Sequence, residues 1–162
     1  MRILGIDPGY GIVGYGIIET SVGVDVVDYG VISTPKELTL PERLEVIYSS
    51  IESLLISYKP DVVAVEELFY FKNQTTVIPV AEARGVILLA CRKNNTPIFE
   101  YTPLQIKQAL TGVGRAEKAQ VQFMVKSILG LEKVPKPDDA ADALAVAICH
   151  SQINPNLNVN RV

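Results

Sequence analysis

This 162-residue chain has 2 cysteines, 1 histidine and no long apolar run, and each scarcity excludes something. Cys91 and Cys149 both lie in apolar, helix-like stretches. Two cysteines without a framework predict reduced, buried thiols in a cytoplasmic protein, with a disulfide or thiolate metal site as the lesser alternative. No apolar run reaches the length of a membrane span. The opening Met1-Arg2-Ile3-Leu4-Gly5-Ile6-Asp7 turns acidic too soon for a signal peptide and predicts a first strand. Internal repeats and dividing linkers are missing as well. With 48% hydrophobic residues, the chain suits one globular domain over residues 1–151, followed by a loose, asparagine-rich tail over 152–162.

A basic surplus is also absent, since the net charge is -3. The distribution says more than the total. Residues 1–67 hold 4 Lys and Arg against 11 Asp and Glu, whereas residues 68–136 hold 10 against 4. A basic middle flanked by acidic ends suits phosphate contact, and chance clustering on solvated helix faces explains it equally well.

Apolar residues 2–6 end at Asp7-Pro8-Gly9, which stops a strand. Residues 10–20 and 22–32 alternate or are valine-rich, so the first three strands read as an antiparallel meander. Thr39 caps a helix with Pro41 and Glu42 in its first turn, and Lys59-Pro60 ends it. Residues 61–65 form an apolar strand ending at Glu66, expected parallel to the first because a helix intervenes. Helical patterns cover 75–93, 103–110, 116–129 and 138–151, with a short strand at 97–101. The pattern is α/β, a five-stranded mixed sheet flanked by helices.

Asp7 and Glu66 each follow a buried apolar strand, at the sheet edge where open α/β sheets bind ligands. Each can instead cap a loop. Asp139 and Asp142 are one helical turn apart, where like charges repel unless a cation lies between them. The helix dipole alone also favours acids in a first turn. Asp138 reads as the N-cap. Four carboxylates without Cys or His make a hard oxygen site suited to Mg2+, with Mn2+ able to substitute. Two such ions about 3.5–4 Å apart activate water and stabilise the leaving oxygen of a phosphodiester.

The chain resembles the RuvC family of crossover-junction endodeoxyribonucleases over about residues 1–151. The resemblance rests on Gly5-Ile6-Asp7-Pro8-Gly9, Glu66 followed by Phe69 and Lys72-Asn73, and Ala83-Arg84-Gly85-Val86. It continues through Phe99-Glu100-Tyr101, Gln105-Ile106-Lys107, Ala116-Glu117-Lys118 and residues 139–145. It implies a ribonuclease H-like (retroviral-integrase superfamily) fold and a homodimer that nicks four-way junction DNA symmetrically. It also implies 5′-phosphate products and the partners RuvA and RuvB. The family carboxylates map onto Asp7, Glu66, Asp139 and Asp142. Some relatives carry histidine at the third of these positions.

Phe69 matches the family aromatic and is expected to stack on an unpaired base at the junction centre, a contact worth roughly 1–3 kcal/mol. Tyr70 and Phe71 can equally be core residues. Lys107 and Lys118 match family lysines facing the scissile region, each a point charge for a phosphate. Arg115, Lys72 and Lys126 are further phosphate candidates. The helix over 75–93 is apolar on more than one side and is expected to meet a symmetry mate. His150 lies eight residues past Asp142, about 12 Å along a helix, and is expected at the surface or beside the helix C-terminus. Glu67 should face away from Glu66, and Glu100 is a candidate outer-shell residue.

The expected mechanism is in-line hydrolysis. Asp7 bridges two ions, Glu66 holds one, Asp139 and Asp142 hold the other, and Lys107 or Lys118 steadies the phosphate. Two other readings remain open. One is an actin-like phosphotransferase, suggested by the Asp7-Pro8-Gly9 turn. The other is a junction-binding scaffold without catalysis.

Overall fold

The fold, a computed structural model, describes residues 1–68, 75–153 and 160–162. Three consecutive strands, Arg2–Asp7 (β1), Ile12–Glu19 (β2) and Asp25–Ser33 (β3), form the antiparallel meander. Helix Leu40–Tyr58 (α1) follows, its first turn held by Glu42, whose carboxylate accepts the Thr39 N–H at 2.7 Å. Val62–Glu66 (β4) then joins β1 in parallel, and after helix Val77–Lys93 (α2) the strand Ile98–Tyr101 (β5) joins β4 in parallel. The order β3-β2-β1-β4-β5 makes the mixed five-stranded sheet of a ribonuclease H-like fold. Helices Pro103–Thr111 (α3), Lys118–Ile128 (α4) and Asp138–Ser151 (α5) complete the chain. Among the described residues, no helix is long and apolar enough to cross a membrane.

Strand alternation divides the interior in two. Ile3 and Ala64 face α3, α4 and α5, whereas Leu4, Ile6, Val63 and Val65 face α1 and α2. Helix α5 lies close against the sheet, because Ala143 and Ala147 face it and the strands beneath carry glycines. A Cβ on Gly5 would stand 2.1 Å from the Ala143 carbonyl oxygen, and one on Gly14 2.0 Å from that of Asp139. Nothing with a side chain fits at either position.

Several boundaries move. The third strand begins at Asp25 rather than at 22, and α4 begins at Lys118 because Glu117 is its cap, its N–H bonded to the Gln120 side chain at 2.8 Å. Asp138 is not the N-cap of α5. Pro137 holds that place, and Asp138 sits in the first turn, bonded to Lys136 at 2.8 Å. The expected loose tail also needs correction at its end. Arg161 bridges Phe99 and the Val162 N–H donates to the Ile98 carbonyl at 3.0 Å, so these residues lie along the outer edge of β5.

His150 lies in the last turn of α5, beside the helix C-terminus as one expectation had it, but it is not at the surface. It is only 7% exposed, with Nδ1 2.7 Å from the Tyr101 hydroxyl and its ring centroid 4.7 Å from that of Phe99. Burial lowers its pKa, favouring the neutral ring. The reason is that α5 is enclosed on every side from Ala143 to His150, so no solvent face remains at its last turn. Cys91 and Cys149 are buried and free, as expected, with burial pushing each thiol up to about 12.

Candidate active site

The register of β1 and β4 pairs Ile6 with Val65, so the next residues, Asp7 and Glu66, leave the sheet side by side. Gly5 lies against α5 and Ala64 packs in the core that holds α5. Two residues further on, Asp7 and Glu66 return to that same face. Glu67 is exposed and gives its backbone N–H to the Tyr101 carbonyl at 2.8 Å. On the second strand, Gly14 stands opposite Asp7 and directly beneath Asp139. The missing side chain therefore lets the α5 acids descend to the level of the strand acids.

The acids act on one another's titration. Burial raises the Asp7 pKa well above the ordinary carboxylate value, and the charges of Glu66, Asp142 and Asp139 add to it. Burial also raises Glu66, as does Asp142, while a hydrogen bond with Asp7 and the charges of Lys107 and Lys118 pull the other way. Asp142 rises through burial, against the attraction of Lys118. A carboxyl pair linked by a hydrogen bond shares a proton, because both cannot ionise together at low cost. The cluster is thus short of positive charge.

Part of that deficit is met by Lys118. Its ammonium stands 3.2 Å from Asp142 and 3.5 Å from Asp138. Burial alone would lower the Lys118 pKa, but Asp142 and Asp138 outweigh it and raise the net value. The sequence did not reveal this bridge from α4 to α5, since the partners lie 24 residues apart. Lys107, on α3, is near enough to favour ionised Glu66. Among the described residues, no three His, Cys, Asp or Glu side chains are drawn tightly enough to cage an ion as they stand. The donor set nonetheless fits a divalent cation. It is all oxygen, largely buried, and carries charge that a single ammonium does not neutralise.

Other expected site residues divide clearly. Arg115 is exposed in the turn before α4. Lys126 is in the last turn of α4, eight residues or about 12 Å from Lys118, and does not join the cluster. Phe69 and Lys72, with Tyr70 and Phe71, lie outside the described residues. Glu100 is not an outer-shell residue of the acids. Its carboxylate pairs with the Arg84 guanidinium on α2, on the opposite side of the sheet. Strand alternation explains this, because Ile98, two residues earlier, packs in the α1–α2 core.

Comparison with known proteins agrees with this geometry. The family described as "Crossover junction endodeoxyribonuclease RuvC" matches residues 3–150. A protein of that name from Petrotoga mobilis is 60% identical, covering 93% of each chain. Another from Caldicellulosiruptor saccharolyticus is 58% identical over 93% of this chain and 92% of its own. The Thermus thermophilus RuvC structure in complex with Holliday junction substrate superposes with a TM-score of 0.93 at 33% identity, covering 100% of this chain and 99% of that one.

Proposed function

This chain belongs to the RuvC family of crossover junction endodeoxyribonucleases, and from that premise we propose how its residues perform the reaction. The protein is a Holliday junction resolvase, a phosphodiester hydrolase that nicks four-way DNA junctions in recombination and repair. This displaces both the actin-like phosphotransferase and the non-catalytic scaffold. The observation that carries the residue assignment is the register that sets Asp7 beside Glu66 and Gly14 beneath Asp139, gathering acids from three separate elements.

Asp7, Glu66, Asp139 and Asp142 would hold Mg2+, with Mn2+ able to substitute and two ions per site. The bound cations supply water activation and neutralise charge at the scissile phosphate. Lys118, already seated among the acids, would offer its ammonium to a phosphate of the bound strand. Lys107 approaches Glu66 from α3 and offers a second positive charge to the incoming strand. Arg115, Phe69 and Lys72 extend the DNA contact. The nicks leave 5′-phosphates.

Two cuts of symmetric polarity suit a homodimer. Ile78 and Leu89 on α2 are 68% and 53% exposed, and eleven residues is about three turns, so they share one face. That face, with exposed Glu82 among its apolar residues, is the proposed dimer contact. RuvA and RuvB are the proposed branch-migration partners, and the cytoplasm the proposed compartment.

The test is nicking of a mobile four-way junction against linear duplex, with and without chelator. Cleavage should be confined to the junction and stop with chelator. Asp7→Asn should bind the junction and not cut it. Normal cutting by Asp7→Asn in Mg2+ would refute the assignment.

A further inference from the structure

One polar tie crosses the other face of the sheet. Arg84, midway along α2, bonds through Nη2 to Oε1 of Glu100 on β5. The side chains are only 25% and 17% exposed. The Arg84 Nε is buried and finds no acceptor among the described residues. A largely buried ion pair with an unsatisfied donor is a poor way to gain stability, because apolar side chains of similar volume serve as well or better. What such a pair does offer is direction. A guanidinium donates to a carboxylate in few orientations, whereas apolar contacts slide.

Its location gives that direction a use. Helix α2 leans on α1 and meets the sheet chiefly at β5. Glu100 stands opposite Val65 in register, one residue before Glu66. The next residue after Arg84 is Gly85, on the exposed side of the helix between Ile78 and Leu89. One turn of α2 thus fastens inward to the strand beside the catalytic edge and presents its outer side to the proposed twin.

We propose that the Arg84–Glu100 pair is a positioning element that fixes the dimer helix to the catalytic sheet and so coordinates the two nicks. The proposal rests on the α2 dimer reading above. The separation and tilt of the two Glu66 carboxylates follow the angle between α2 and β5. If that angle drifts, each site still cuts, but the two seldom engage opposite strands at once. Arg84 lies across the sheet from the acids, so its loss leaves the first cut intact.

The experiment uses a supercoiled plasmid that extrudes a cruciform. Two cuts within one encounter give linear DNA, and a single cut gives nicked circle. The double variant Arg84→Met/Glu100→Gln removes the pair without stranding a buried charge. It should remain a dimer by sedimentation and make the first nick at the wild-type rate. It should also release mostly nicked circle where the wild type gives linear product. The exchanged pair, Arg84→Glu/Glu100→Arg, should recover linear product. A dimeric double variant with undiminished linear yield overturns the proposal alone. A proportional fall in the first nick also overturns it, since the pair then serves the site or the fold in general. A monomeric wild-type protein sinks the dimer reading, and this proposal with it.

Discussion

Replacing Gly14 with alanine tests whether the close seat of α5 sets the active site. The new methyl carbon would lie 2.0 Å from the Asp139 carbonyl oxygen, where real contacts essentially never fall below 3.0 Å. The obstacle is backbone, so no side chain can swing aside. The helix end must retreat by about 1 Å, and it carries Asp139 and Asp142 with it. Gly14 is also the strand partner of Asp7, so the separation grows between the two halves of the acid cluster. Overpacking of this kind costs about 1–3 kcal/mol. At about 2–4 °C per kcal/mol for a chain of this size, Tm should drop by roughly 2–12 °C. A misplacement of about 1 Å at a reacting centre costs on the order of 100-fold in rate. Junction nicking under single-turnover conditions should therefore fall about that far, with junction binding retained in a gel-shift assay. Gly23→Ala is the control, since a Cβ there meets nothing within 4 Å. If Gly14→Ala cuts as fast as the wild type at a temperature where both are folded, the close packing does not control the chemistry.

The acids predict a pH trend in the absence of metal. Folding raises Asp7, Asp142 and Glu66 above their ordinary values of 3.8 and 4.5, so the folded chain holds more protons than the unfolded one in that window. Their stabilising contribution is full below those ordinary values and is lost as pH rises through the raised ones. Thermal melts in EDTA should show Tm falling along that rise, with Mg2+ restoring part of it, and a flat profile would count against the coupled cluster. Asp7→Asn removes a buried charge and should melt higher than the wild type near pH 7 in EDTA, and Mg2+ should stabilise it less. Tyr101→Phe leaves the His150 Nδ1 without its 2.7 Å partner. Urea unfolding should show a loss of about 1–3 kcal/mol, with little change in nicking.

The order of elements and the position of the strand acids were legible because they depend on local pattern. Apolar runs end at Asp7 and Glu66, and a helix between antiparallel and parallel strands leaves few topologies. The spacing of Asp139 and Asp142 likewise shows in the sequence. Contacts between distant segments do not. Lys118 reaches Asp142 only after α3 and α4 pack on α5. Glu100 faces Arg84 only because strand alternation turns it away from Glu66. The burial of His150 is hidden in the sequence because an alanine-rich helix reads as half-exposed, when in fact the sheet and two other helices wrap it. Asp138 looked like a cap because its side chain suits the role, yet the preceding proline occupies the capping geometry.

The depth at which α5 is held has a dynamic consequence. The amide hydrogens of its buried run, Ala143 to His150, should exchange with solvent only when the whole domain opens. Two of the four acids thus ride on the turns that lead into this buried run. Denaturant should erase nicking and tertiary signal in one transition, leaving no window of folded but idle enzyme.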